Sequence, residues 1–170
     1  MANNPPRILL CYDGSPAATH AIEQAGRLIG SGRATVLYAW QSAADALAHF
    51  GVAPTYVPPG EYERDREQAG KVAKEGTRLA RQAGFDADAR IVESAASTWG
   101  AILYAAEELD VDLVVMGARG LTGLRSTLLG SVSHHVVNLT GRTTLVVPSE
   151  KVDEDRGTPQ LPVRLEAVES

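Results

Sequence analysis

The chain has 170 residues, of which 44% are hydrophobic and 22% charged, which is typical of a single globular domain and argues against a disordered chain. Its one cysteine excludes an intrachain disulfide scaffold and a zinc site built on several cysteines. The net charge of −5 argues against a general nucleic-acid or anionic-membrane surface, and no apolar run reaches the roughly 18 residues of a membrane span.

The first elements alternate between strand and helix patterns. Arg7 to Tyr12 is a short apolar run without strict alternation, which predicts a strand buried on both faces. Ser15 followed by Pro16 predicts a helix start. The serine hydroxyl can accept a hydrogen bond from a free backbone N–H of the first turn, and proline has no backbone N–H that would be left unpaired there. Gly30 can end that helix, and Ala34 to Trp40 predicts a second buried strand.

The middle of the chain interrupts this alternation. Gln41 to Gly60 exceeds the roughly two to six residues of an ordinary connection and contains three prolines, which predicts a lid, a binding loop or a disordered segment. Apolar residues at three- and four-residue steps then predict a helix over Ala69 to Ala83. Asp86 to Val92 alternates charged and apolar side chains, which favours a strand at the edge of a sheet.

The last third returns to regular alternation. Helical spacing over Ile102 to Leu109 and over Val132 to Leu139 predicts two further helices, and apolar runs at Leu113 to Met116 and Thr144 to Val147 predict strands. The whole pattern predicts a three-layer αβα domain over residues 1–148, with a five-stranded parallel sheet and right-handed crossovers.

The two ends of the chain differ from this domain. Residues 149–170 carry three basic and six acidic side chains and two prolines, so we expect a flexible, acidic C-terminal tail. The first apolar stretch ends at Asp13, too soon for the core of a signal peptide, and the expected location is therefore the cytoplasm.

The loops that follow predicted strands are the candidate site, because ligands bind at the carboxyl ends of the strands in open α/β sheets. Asp13 follows the first strand and directly precedes a helix start. The loop after the fourth strand, residues 117–130, holds four of the sixteen glycines. Glycine allows backbone N–H groups to approach an anion closely, so this loop favours a phosphate ligand.

A helix start at the end of this loop supports the same interpretation. Gly130 and Ser131 open a helix whose free N–H groups and positive dipole end favour phosphate, with Arg119 and Arg125 as nearby cations. The alternative is structural: the glycines only end a strand and form turns, and Ser131 only caps a helix. Spacing alone leaves both interpretations open.

The loop also resembles a known motif. Gly117-x2-Gly120-x9-Gly130-Ser131, between an LVVMG strand and a GSV helix start and ahead of a TLVVP strand, is similar to the nucleotide-binding motif of the universal stress protein family. The opening ILLCYDGSPAA resembles the first strand and turn of that family, and the resemblance covers about residues 7–148. It implies a Rossmann-like, adenine nucleotide alpha hydrolase-like fold with strand order 3-2-1-4-5.

The resemblance also implies the ATP-binding branch of the family, because members without these glycines do not bind ATP. Asp13 would lie beside the adenosine, and Ala39 would hold the adenine through its backbone. Met116 would pack on the base or the ribose. The remaining implied contacts are Gly117 and Gly120 at the ribose and phosphates, and Gly130, Ser131 and Val132 at the β- and γ-phosphates, with Mg²⁺ held through the phosphates.

Other motifs point away from further sites. Gly30-Ser31-Gly32 resembles the start of a dinucleotide motif but precedes a strand, so we interpret it as a helix stop. His134 and His135 point about 100° apart on a helix, which is wrong for two ligands of one metal ion. Cys11 lies in mid-strand and is interpreted as a core residue rather than a nucleophile.

Three functions follow as hypotheses. The favoured one is an ATP-gated stress regulator that presents an ordered surface to a protein partner, with slow hydrolysis at most, since no clear water-positioning group is present. An adenine-nucleotide hydrolase or nucleotidyl transferase on the same fold is the alternative. Its relatives carry Ser-Gly-Gly-x-Asp-Ser after the first strand, where this chain has Asp13-Gly14-Ser15-Pro16. The third is a protein-interaction module with a vestigial pocket.

The last predicted strand suggests an assembly. Thr144 to Val147 would end the sheet as an exposed apolar edge, which proteins usually cover. The family covers it by pairing with the same strand of a second subunit, so the resemblance implies a homodimer.

Overall fold

The computed structural model describes residues 5–42, 45, 51, 56, 58–94, 97–120 and 129–148. Strands and helices alternate along these residues, as the periodicity predicted. They are β1 (Arg7–Cys11), α1 (Pro16–Ile29), β2 (Arg33–Trp40), α2 (Glu61–Gln82), β3 (Asp86–Glu93), α3 (Thr98–Glu108), β4 (Leu113–Gly117), α4 (Ser131–Leu139) and β5 (Thr143–Val147).

The strands form a parallel five-stranded sheet in the order β3-β2-β1-β4-β5, which confirms the predicted fold. Ile8 of β1 pairs with Ala34 of β2 on one side and with Leu113 of β4 on the other. Successive strands are therefore added on one side of β1 up to β3 and on its other side from β4 onward. The point between β1 and β4 where this order reverses is where open α/β sheets bind ligands. The weakly patterned strand β3 lies at an edge, as its alternation predicted.

Each face of the sheet carries its own apolar cluster under a pair of helices. The face under α1 and α2 buries Ile8, Leu10, Tyr12, Ile22, Val36 and Phe85. The face under α3 and α4 buries Leu9, Leu37, Ile102, Val111, Val114, Met116 and Val136. Adjacent residues of β1 thus belong to opposite clusters, because side chains alternate across a strand and both faces are covered.

Helix α1 begins and ends at the predicted signals. Ser15 Oγ accepts a hydrogen bond from the N–H of Ala18 at 3.1 Å, and Pro16 is the first helical residue. Gly30 ends the helix with φ of 87°, a conformation that favours glycine. The Gly30-Ser31-Gly32 sequence is therefore a helix stop, as interpreted.

Helix α2 is longer than its apolar pattern predicted. It begins at Glu61 instead of near Ala69. The apolar pattern did not predict the first two turns, because most of their side chains are charged and exposed and show no apolar period. Its second half packs tightly on the sheet at Gly76, where an added Cβ would lie 2.6 Å from the ring of Tyr12. Glycine at this position allows the close approach of helix and sheet.

Two predicted segments lie largely or wholly outside the described residues: most of the Gln41 to Gly60 connection, and the tail 149–170. Among the helices that the structure does describe, none combines the length and apolar character needed to cross a membrane.

Candidate functional site

A cavity of about 280 Å³ opens at the carboxyl ends of the strands, at the reversal point between β1 and β4. We call it the switch-point cavity. Nine of the ten predicted site residues line it, and the tenth, Arg125, lies outside the described residues. The lining comprises Cys11, Tyr12, Asp13, Ala18, Leu37, Tyr38, Ala39, Thr98, Ile102, Met116, Gly117, Arg119, Gly120, Gly130, Ser131, Val132 and Ser133.

The turn after β1 meets the loop after β4 at Asp13. One carboxylate oxygen, Oδ1, accepts a hydrogen bond from the N–H of Ser15 at 2.9 Å, which holds the side chain at the start of α1. The other oxygen, Oδ2, would lie 2.6 Å from a Cβ added at Gly120. Glycine at position 120 therefore makes room for the Asp13 carboxylate, and the two loops are neighbours.

The N-terminus of α4 forms one wall of the cavity. The first intrahelical hydrogen bond runs from the N–H of His134 to the carbonyl of Gly130, at 2.9 Å. The N–H groups of Ser131 and Val132 precede this bond, so they belong to the helix end that favours anions. Arg119, whose side chain is partly buried, adds a guanidinium to the same lining.

Gly130 lines the cavity and also has a structural role. Its N–H donates to the carbonyl of Ala118 at 2.7 Å, so this donor is already used within the chain. Gly130 is the N-cap of α4, with φ of −68° and ψ of 162°, and it joins the two ends of the glycine loop. The N–H groups of Ser131 and Val132 follow it in the first turn of α4, and both residues line the cavity.

Gly117 is constrained by packing as well as by the cavity. A Cβ at this position would lie 3.0 Å from both the carbonyl carbon and the oxygen of Ala17 in the first turn of α1. Gly130 is less constrained, since the nearest atom to an added Cβ is the Ala118 oxygen at 3.4 Å. A substitution at Gly117 would therefore disturb the fold as well as the cavity.

Two titratable side chains that line the cavity, Cys11 and Tyr38, are desolvated. Burial, with a smaller contribution from the Asp13 charge, raises the pKa of the Cys11 thiol to about 12. The same two causes, in the same order, raise the pKa of Tyr38. Both groups therefore stay neutral at pH 7. Cys11 packs against the apolar cluster under α3 and α4, as a core residue would.

Several lining residues were not predicted from the sequence. Tyr38 is in a strand, where no local signal separates a lining side chain from a core one. Thr98 and Ile102 come from α3, whose first turn starts beside the cavity after the N-cap Ser97. Ser133 could have been found, because it lies in the first turn of the helix that the glycine motif opens.

The adjacent histidines of α4 have structural contacts. The His135 ring stacks on Trp99 with centroids 5.1 Å apart, and its Nδ1–H donates to the carbonyl of Ser131 at 2.7 Å. His134 makes an edge contact with His135 at 5.8 Å. In the described part of the chain, no group of three or more His, Cys, Asp or Glu side chains is arranged to hold a metal ion.

A parallel sheet of this order, with its cavity at the reversal point and a helix N-terminus in the wall, defines a doubly wound α/β domain. The chain belongs to the universal stress protein family, whose family model matches residues 5–148.

Individual relatives agree with this assignment. Universal stress protein YxiE of Bacillus subtilis is 30% identical over 149 residues, which cover 83% of this chain and 97% of YxiE. A universal stress protein solved in complex with cAMP has a TM-score of 0.60 and 23% identity, covering 86% of this chain and 98% of that one. The Archaeoglobus fulgidus protein in complex with dAMP has a TM-score of 0.58 and 17% identity, covering 84% and 97%.

Proposed function

We propose that the chain binds an adenine nucleotide, ATP, in the switch-point cavity and acts as a nucleotide-gated regulatory module in a stress response. The observation that carries this proposal is the meeting of Asp13, the glycine loop and the α4 N-terminus around one cavity. The structural relatives that contain cAMP and dAMP support the same class of ligand.

The proposed contacts divide the cavity by chemistry. Asp13 accepts hydrogen bonds from the adenosine, whose base packs between the Ala39 backbone and Met116. Gly117 and Gly120 leave room for the ribose and the first phosphate. The remaining phosphates, which hold the Mg²⁺, are then bound by the cations Arg119 and Arg125 and by the helix-end donors of Ser131 and Val132, with Gly130 shaping the turn.

The module is proposed to hydrolyse ATP slowly at most. Phosphoryl transfer needs an oriented water and in-line stabilising charge as well as bound phosphates. Among the described lining residues, Asp13 is the one carboxylate, and its Oδ1 is engaged by the N–H of Ser15. We therefore assign the nucleotide a gating role: its binding favours one conformation of the loop and of the surface that a protein partner recognises.

The domain is proposed to be residues 1–148 and to form a homodimer through β5. This strand lies at the sheet edge next to β4, and Thr144, Leu145 and Val146 are partly buried without a further strand beside them in the described sheet. Cys11, as a free thiol, suits a reducing compartment, so we place the protein in the cytoplasm. Sedimentation equilibrium should then give twice the 18.0 kDa chain mass, and a concentration-independent 18.0 kDa would contradict the dimer.

The nucleotide proposal is tested on freshly purified protein. Denaturation followed by chromatography should release an adenine nucleotide, and calorimetric titration of the stripped protein with Mg-ATP should show one site per chain. GTP is the matched control, because it carries the same phosphates on a different base. If no nucleotide is released and Mg-ATP gives no binding heat, the proposed function is wrong.

A further inference from the structure

Ala118 joins three elements around the switch-point cavity. Its N–H donates to the carbonyl of Val147 at 2.7 Å, which ties it to the end of β5. Its carbonyl accepts from the N–H of Gly130 at 2.7 Å and from the hydroxyl of Ser133 at 2.9 Å. Ala118 is 6% exposed and Ser133 is 3% exposed, so these bonds lie away from solvent. We call this set of bonds the Ala118 junction.

The junction fixes the start of α4 beside the end of β4. Ala118 directly follows β4, and the two donors to its carbonyl, Gly130 and Ser133, belong to the N-cap and the first turn of α4. Fixing a flexible chain in one conformation costs conformational entropy. A helix end that is fixed during folding does not have to be fixed again when a ligand binds, which strengthens binding through preorganisation.

Ser133 supplies the side-chain part of this junction. Its hydroxyl oxygen lies 2.9 Å from the carbonyl oxygen of Ala118 and 3.0 Å from that of Gly130, so its single hydrogen is donated to one of these carbonyls or shared between them. Both acceptors are within the chain, so Ser133 lines the cavity with its donor already engaged. Ser131, two residues earlier and exposed, is the hydroxyl that can face a ligand.

We propose that Ser133 is a positioning residue that presets the α4 N-terminus for the phosphates of an adenine nucleotide. This inference rests on the proposed function and adds a role that acts through the helix rather than by contact with the ligand. It predicts that losing the Ser133 hydroxyl weakens the binding of a ligand whose phosphates lie at the α4 N-terminus. The adenosine part of the ligand lies at the other loop and keeps its affinity.

The test is Ser133→Ala, with calorimetric titration of both Mg-ATP and adenosine. A buried hydrogen bond of this kind is worth roughly three- to tenfold in an equilibrium constant, so we expect ATP to bind three- to tenfold more weakly. Adenosine should bind within about twofold of the wild-type protein. Ser133→Thr keeps a hydroxyl that can reach the same carbonyls and should restore ATP affinity. If Ser133→Ala fails to fold, Ser133→Cys carries the same prediction, because it keeps the volume with a weaker donor.

Thr77→Val is the matched control. Thr77 is 6% exposed, and its hydroxyl donates to the carbonyl of Ala73 at 2.8 Å, so it makes the same kind of bond on α2, outside the switch-point cavity. This variant should leave the affinities for ATP and adenosine unchanged.

The outcomes separate the two proposals. Unchanged ATP affinity in Ser133→Ala overturns the positioning role while the nucleotide function stands. An equal loss for ATP and adenosine also overturns it, because general loosening would affect both ligands. If the wild-type protein binds neither ligand, the proposed function itself is wrong, and the positioning role falls with it.

Discussion

The perturbed titratable groups at the two ends of the sheet have different environments. At the carboxyl end, burial in the switch-point cavity raises the pKa of Cys11 and of Tyr38 and keeps both groups neutral. At the amino end, hydrogen bonds from Arg7, and then from Arg142, lower the pKa of Asp110. Hydrogen bonds from Arg142 likewise lower the pKa of Glu107. The perturbed groups at the carboxyl end are thus buried and uncharged, whereas those at the amino end are charged and paired.

The amino end is a network of ion pairs between elements far apart in sequence. Arg142, just before β5, contacts Asp110 Oδ1 and Glu107 Oε2, each at 2.9 Å. Arg7, the first residue of β1, contacts Asp110 Oδ2 at 2.7 Å, and its N–H donates to Asp112 Oδ2 at 2.8 Å. The network links the starts of β1, β4 and β5.

The comparison separates stability from binding. At the amino end, side-chain charges are paired with one another across three strand starts, which suits a structural role. At the carboxyl end, the α4 N-terminus presents backbone donors to a cavity, which suits an anion supplied from outside. We expect substitutions at the two ends to have separable effects on the free energy of unfolding and on ligand affinity.

The largest expected effect concerns the reactivity of Cys11. Raising a thiol pKa from 9.0 to about 12 reduces the thiolate fraction at pH 8 about a thousandfold, and the thiolate is the reactive form. Alkylation of the folded protein by iodoacetamide should therefore be slower than that of a free thiol by about this factor. The urea-unfolded chain is the control and should react at the ordinary rate. Fast alkylation of the folded protein would show that the cavity does not desolvate this thiol.

A pair of glycine substitutions compares the two ends directly. Gly120→Ala would place a Cβ 2.6 Å from Asp13 Oδ2 and displace that carboxylate, so we expect ATP affinity to fall about tenfold. Gly141, in the turn before β5, has no atom within 4 Å of an added Cβ, so Gly141→Ala should leave affinity unchanged. Titration with Mg-ATP measures both. Equal affinities in the two variants would remove Asp13 from the proposed contacts.

The sequence predicts the carboxyl end better than the amino end, for physical reasons. Glycine spacing, a cap such as Ser15 and buried apolar runs are local signals, and each maps onto one element of the structure. The strand order then brings Asp13 to the Gly117 to Gly130 loop, although this order followed from family resemblance rather than from periodicity. The Ala118 junction was not predicted, because its acceptors and most of its donors are backbone groups, which carry no sequence signal.

The ion pairs of the amino end were not predicted at all. Arg7 and Asp110 are 103 positions apart, and nothing in the local pattern around either residue indicates the other. Asp110 even has a φ of 45°, a conformation that is uncommon for a non-glycine residue and that no sequence rule required here. Charges at turns look alike in sequence, whether they are solvated or paired. The fold decides which pairs form.

Removing Arg142 should lower stability without changing ATP binding. Arg142→Met deletes the contacts with Glu107 and Asp110 and a hydrogen bond to the carbonyl of Val111 at 3.0 Å. We expect a lower urea midpoint and an ATP affinity within about twofold of wild type. Arg90→Met is the control, because it removes an exposed ion pair of a single arginine with Asp88, at 3.6 Å on the surface. A midpoint no lower than that of Arg90→Met would contradict a stabilising network.

The smallest expected effect is a change in the acid dependence of stability. Asp110 and Glu107 have folded-state pKa values below their ordinary values of 3.8 and 4.5. Their contribution to folding stability is therefore fully present above those ordinary values and is lost as the pH falls through the lower folded-state values.

Urea unfolding of the wild-type protein at pH 7, 5, 4 and 3 should show stability falling below about pH 5. Arg142→Met should fall less steeply over the same range, because its carboxylates have lost their principal cation. The Glu75 carboxyl, whose pKa is lowered by Arg78, contributes equally to both proteins and cancels in the difference. Parallel curves for the two proteins would mean that Arg142 does not hold these carboxylates in their charged form.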